Sequence, residues 1–145
     1  MVTDMKPIDA ILAGRGILDS IMAPAGFRFE PPAGGESSGG PYAEAAYVRG
    51  DRRLKFSYRF ALGDVEYRIG DAALDHIAYM RLLGAYPKCA FASFSREEPM
   101  AGFEALRDDL AAFAGDFLNG PGDEFLRLAA QIDALPERRL PRFVP

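Results

Sequence analysis

Cysteine occurs once, at Cys89, and histidine once, at His76. A lone thiol excludes an internal disulfide and the usual multi-cysteine zinc sites. A lone imidazole leaves Cys89 with His76 as the sole Cys/His pairing, and nothing around Cys89 resembles a nucleophile motif. No apolar run approaches the roughly 18 residues that suggest a membrane span, so no membrane partner is expected. Basic excess is lacking too. Seventeen Lys+Arg against 21 Asp+Glu leave a formal net charge of -4, which argues against a general nucleic-acid binder. Residues 1–7 lack the basic start, apolar stretch and small-residue cleavage pattern of a secretory signal, so cytoplasmic residence is the expectation.

What is present is ordinary globular material: 145 residues, 49% hydrophobic and 26% charged, enough for one domain with a genuine core. The clearest pattern lies between Tyr42 and Ile69. Apolar and polar residues alternate over 42–49, 52–62 and 65–69, separated by Gly50-Asp51 and Gly63-Asp64. Period-2 alternation between short turns is the signature of a meander with one buried face. Two-residue turns at both places oppose Tyr47 with Leu54 and Phe60 with Tyr67, and keep one apolar set on one side.

Around this meander the chain reads as helices. Pro7 opens a helix to Met22 with Ile8, Ile11, Leu12, Leu18 and Ile21 largely on one face, weakened at Gly14 and Gly16 by about 1 kcal/mol each. Residues 27–30 form a short strand, and 31–41 reads as a mobile loop by its Pro, Gly and Ser content. Asp71 caps a helix to about Leu83, and 84–94 is an aromatic-bearing loop. Ser95 to Glu98 spell a capping box for a helix that carries Phe103, Leu106, Leu110, Phe113 and Phe117 and stops at Asn119-Gly120. A last helix covers 123–135. The expected fold is α+β: an antiparallel meander of about four strands, with an N-terminal helix and three C-terminal helices packed on one face. Residues 1–135 form the domain, and 136–145 form a basic, proline-punctuated tail with Arg138, Arg139, Arg142 and Phe143.

The polar face of the sheet is the best candidate site. In the register above Arg59 stands opposite Arg68, ringed by Tyr42, Glu44, Ser57, Lys55 and Glu66. Opposed arginines destabilise a sheet unless an anion or carboxylate lies between them. A guanidinium pair could therefore recognise a carboxylate, a phosphate or an acidic partner surface. The plainer reading is a solvated face on which Glu44 and Glu66 neutralise the arginines. His76 follows Asp75, but neighbours in a helix point to different sides, so no ligand set forms and a surface or partly buried histidine is expected. Gly34 to Gly40 lacks the Lys-Ser/Thr of a phosphate loop and leads into a strand, which makes it a strand connection.

The run from Tyr47 to Asp71, followed by His76 and Tyr79, resembles a family of small stand-alone bacterial α+β proteins. The resemblance covers the middle third of the chain and implies no activity. Small α+β proteins of this build include immunity proteins that neutralise bacterial toxins, an analogy of fold alone.

Three functional readings follow. The first is a non-enzymatic protein-interaction module using Arg59, Arg68, Tyr42, Glu44 and Ser57, with another protein or, through an unpaired edge strand, a second copy of the chain as partner. The second is a binder of a carboxylate- or phosphate-bearing metabolite with the 34–40 loop as a lid. The third is a small enzyme using His76 with Asp75 or Glu66. No catalytic set, metal site or cofactor emerges from the residues themselves.

Overall fold

The structure is a computed structural model that describes residues 6–90 and 98–134. Helix α1 (Pro7–Met22) starts with Pro7, whose missing N–H would be unpaired there in any case. It turns Ile11, Leu18 and Met22 inward. Five strands follow: β1 (Arg28–Ser37), β2 (Gly40–Arg49), β3 (Arg52–Tyr58), β4 (Leu62–Ile69) and β5 (Ala72–Asp75). They form one antiparallel sheet in the order β1-β2-β3-β4-β5. Then come α2 (His76–Leu82), α3 (Pro99–Phe113), α4 (Gly115–Leu118) and α5 (Asp123–Ala134). The α+β expectation holds, with a larger sheet and one more helical segment.

The β2–β3 hairpin has the expected register, with Tyr47 opposite Leu54, Ala45 opposite Phe56 and Ala43 opposite Tyr58. The β3–β4 hairpin does not. Its loop is Arg59-Phe60-Ala61, with Tyr58 opposite Leu62 and Leu54 opposite Tyr67. Gly63-Asp64 lies inside β4, where the register slips between Lys55 and Ser57. Asp64 takes up the extra residue in a left-handed conformation, φ 51°. A left-handed residue serves a bulge as readily as a turn, which is why the dipeptide misleads. Relative to expectation the pairing has moved by six residues beyond the bulge and by seven on its loop side, where the extra residue restores the phase. Leu54, Phe56, Tyr58, Tyr67 and Ile69 stay inward, but Phe60, expected inward opposite Tyr67, lies exposed in the loop.

Three further expectations change. The 31–41 stretch is not a loop: β1 runs through it, with a register break between Glu30 and Ala33 at Pro31-Pro32, and turns at Ser38-Gly39 into β2. Asp71 caps nothing, because Gly70-Asp71 is a turn into β5. The cap of α2 is Asp75, which accepts from the Ala78 amide at 2.8 Å. The long third helix expected to run on to Asn119-Gly120 breaks at Ala114, leaving α4 as a separate turn. The capping box at Ser95 and the tail 136–145 lie outside the described residues.

One face of the sheet carries the core. Ala43, Ala45 and Tyr47 of β2, Leu54, Phe56 and Tyr58 of β3, and Val65, Tyr67 and Ile69 of β4 are all buried under the helices. The helices close on one another as tightly as on the sheet. Gly14 of α1 faces Phe103 of α3, whose ring also packs on Phe56 (centroids 6.1 Å) and Tyr58 (6.2 Å). A Cβ on Gly14 would stand 2.5 Å from three carbons of that ring, whereas a Cβ on Gly16 would meet nothing within 4 Å. The two glycines break one helix rule for different reasons, and single substitutions separate them. Gly14→Ala is expected to destabilise by about 1–3 kcal/mol despite the better helix former, because the core overpacks. Gly16→Ala should stabilise by about 0.5–1 kcal/mol. Urea unfolding reads both, and a gain at position 14 would mean that the Phe103 ring yields.

Candidate functional site

Four of the five residues singled out on the polar face come together. A groove of about 640 Å³ opens at the end of the sheet where two hairpins turn, lined by Ser37, Tyr42, Glu44, Ser57, Tyr58, Arg59, Phe60, Ala61, Gly63 and Asp64. Its floor crosses three strands: Glu44 of β2 pairs with Ser57 of β3, which pairs with Gly63 of β4. One wall is the β1–β2 hairpin and the other the Arg59-Phe60-Ala61 loop. Phe60 is 52% exposed on that loop.

Arg59 joins the two walls. Its guanidinium donates to Ser37 Oγ at 2.5 Å and lies 5.8 Å from the centre of the Tyr42 ring. It presses so closely on Gly39 that a Cβ there would fall 1.5 Å from one of its nitrogens. Ser57 donates to Asp64 Oδ2 at 3.1 Å across the bulge. Glu44 is exposed and makes no hydrogen bond or ion pair among the described residues.

Arg68 is not part of this groove. Across the sheet it stands opposite Arg53, about 20 Å of strand away from the Arg59 loop. The like charges are relieved separately: Arg53 pairs with Glu30 at 2.9 Å and Arg68 with Glu66 at 3.6 Å. The expected Arg59/Arg68 fork therefore does not exist, and this end of the face is a solvated ion-pair surface of the kind that contributes little individually.

The most elaborate polar cluster lies on the other side of the sheet. His76 is 2% exposed and Asp109 1%. His76 Nε2 stands 2.8 Å from Asp109 Oδ2, and Nδ1 stands 2.8 Å from the Tyr67 hydroxyl. Asp109 Oδ1 accepts from the Ala90 amide at 2.6 Å. Burial pushes the Tyr67 phenol well above its ordinary range, so the hydroxyl keeps its proton and can donate it to Nδ1. With the imidazole neutral, donation from Tyr67 to Nδ1 leaves Nε2–H to donate to the Asp109 carboxylate. Desolvation holds His76 below its ordinary pKa, against the opposing hydrogen bond and charge of Asp109 and the charge of Asp75. The histidine expected at the surface or partly buried is thus a fully interior one. Its hydrogen bonds among the described residues go to Tyr67 and Asp109, not to the Asp75 or Glu66 expected of a working base.

Cys89 is partly buried. Burial and then the charge of Asp109 raise its pKa, so the thiol is kept protonated and weakly nucleophilic. Tyr79 sits beside Tyr67 with ring centroids 4.9 Å apart, fully buried, and among the described residues its hydroxyl has no hydrogen-bond partner of adequate geometry although the Phe117 amide lies near. Among the described residues no group of three His, Cys, Asp or Glu is placed to hold a metal ion, and no helix is long and apolar enough to cross a membrane.

Two measurements check this account of the interior. Removing one hydroxyl from each tyrosine should have opposite consequences. Tyr67→Phe lowers stability by about 1–2 kcal/mol through the lost bond to His76, while Tyr79→Phe leaves it unchanged or raises it by up to about 1 kcal/mol. Because folded His76 binds its proton more weakly than the unfolded chain, stability should decline as pH falls through the unfolded value of roughly 6.5. Melting temperatures between pH 7 and 5.5 should fall for the native protein and run flatter for His76→Gln, even if that variant starts lower. Parallel slopes would show that His76 does not contribute.

Comparison of the chain with protein-family models, with curated proteins and with solved structures returns no match.

Proposed function

We propose that the protein is a non-enzymatic binding module that holds another protein in the groove between the β1–β2 hairpin and the Arg59-Phe60-Ala61 loop. The observation that carries this is the exposed Phe60 beside Tyr42 and Arg59 over a concave floor of paired strands. Aromatic and arginine side chains around a desolvatable hollow are the composition of energetic centres in protein interfaces. The strands beneath are anchored on their other face by the core, so little order need be lost on binding. His76 supports the same reading from the opposite direction: buried, with both ring nitrogens engaged, it is poorly placed for proton transfer to a substrate.

The metabolite reading is less well supported. One guanidinium faces two carboxylates, Glu44 and Asp64, so the groove is an unfavourable place for a phosphate or carboxylate group. Edge-to-edge pairing with a second copy also meets an obstacle, since Pro31-Pro32 interrupts β1, the outer strand on this side.

Capture on immobilised protein from lysate of the cells that encode it tests the proposal. The native form and Arg68→Glu should retain the same protein, and Phe60→Ser with Tyr42→Ala should lose it while keeping the native melting temperature. Retention unaffected by the groove substitutions would refute the proposal.

A further inference from the structure

The chemistry of the partner can be taken one step further, resting on that reading of the groove. We infer that the groove receives an extended segment carrying a lysine or arginine next to an apolar side chain.

Some charges in the groove are already committed to holding it together, and others are not. Arg59 appears at first to make the site anionophilic, but its guanidinium is used as a strut. It donates to Ser37 Oγ, lies over Tyr42 and is packed against the Gly39 backbone. Turning it towards a ligand would release the contact that holds the two walls together. The carboxylates are placed the other way. Glu44 projects from the middle of β2, exposed and without a hydrogen bond or ion pair among the described residues. Asp64, also exposed, accepts a single hydrogen bond among the described residues, from Ser57. Both belong to the row of strands that makes the floor, so a cation lying over Ser57 would have a carboxylate on either side. Charge complementarity of this kind selects the partner and its register.

The apolar requirement comes from the walls. Tyr42, Phe60 and Ala61 supply apolar lining from the two walls, and Phe60 presents an aromatic ring at the rim. A cation held against aromatic rings also gains from their quadrupoles. The volume, about 640 Å³, lies inside the ~300–1,000 Å³ of specific sites and suits a few side chains of an extended segment better than a folded surface.

Fluorescence anisotropy with three labelled octapeptides tests this: alternating Arg and Leu, the same with Glu in place of Arg, and the same with Ser in place of Arg. The Arg peptide should bind the native protein about tenfold more tightly than either of the others, with the preference shrinking as salt rises. Glu44→Gln with Asp64→Asn should abolish the preference; both replacements are isosteric, and Asn tolerates the left-handed backbone at position 64. Glu104→Gln with Asp108→Asn, which removes the same charge from the exposed face of α3, should not. Phe60→Ser should weaken the Arg peptide with the carboxylates intact. Equal loss of preference in both charge variants would reduce the effect to overall charge and overturn the inference. A Glu peptide that binds best, and still depends on Phe60, would overturn it while leaving the groove as the binding surface. If no peptide binds, the inference is overturned, and the groove is then judged by the capture experiment alone.

Discussion

The hydrogen-bonded chain from Tyr67 through His76 to Asp109 is the constraint on which the helical side of the molecule depends. It links β4, α2 and α3, and through the Ala90 amide also the segment that follows α2. Helix α2 has seven residues, too few to persist on its own propensity, so tertiary contacts must hold it. A carboxylate as deeply buried as Asp109 is tolerable only with its oxygens engaged, which restricts where α3 can sit. Aromatic rings complete the joint: Tyr67 packs on His76, Tyr79 and Phe117 with centroids 4.9–5.7 Å apart. Farther along the sheet the same tethering recurs with arginines. Arg49 and Arg52, on either side of the β2–β3 turn, donate to the Leu118, Asp116 and Phe117 carbonyls, and Asp116 in turn accepts from the Gly122 and Phe125 amides. Short helices are thus pinned to a regular sheet by charged side chains that reach backbone atoms.

This arrangement divides the sheet between two tasks. Its inner face carries the aromatic and aliphatic packing and the buried histidine. No described helix packs on its outer face, and at one end two hairpin loops line the groove. Arg59 makes those loops into a single feature, because it spans from the β3–β4 loop to Ser37 near the tip of the β1–β2 hairpin. Its role is architectural before it is electrostatic.

Legibility in the sequence followed the range of the interactions. The β2–β3 hairpin was readable because turn chemistry and alternation agree within a dozen residues. The β3–β4 register was not, since alternation has period 2 and is blind to even shifts, and a residue fit for a turn at Asp64 served a bulge instead. β1 was hidden by Pro31-Pro32 and Gly34-Gly35, a composition that denotes loop unless a neighbouring strand supplies the hydrogen bonds. Asp71 and Asp75 are equally good caps on paper, and only pairing with β4 distinguishes them. Of the site residues, Tyr42, Glu44, Ser57 and Arg59 were found because they share the outward phase of adjacent strands. Arg68 shares that phase but lies elsewhere along the sheet. Asp109, 33 residues from His76, carries no local signal of its role.

The central claim is that His76 is a sealed, neutral link rather than a working base. Imidazole nitrogen resonances at pH 7 report it directly. The account predicts a single slowly exchanging tautomer, with the proton on Nε2 and a hydrogen-bond-accepting shift at Nδ1. An imidazolium, or a ring proton exchanging rapidly with solvent, would contradict it and return His76 to the list of groups able to do chemistry.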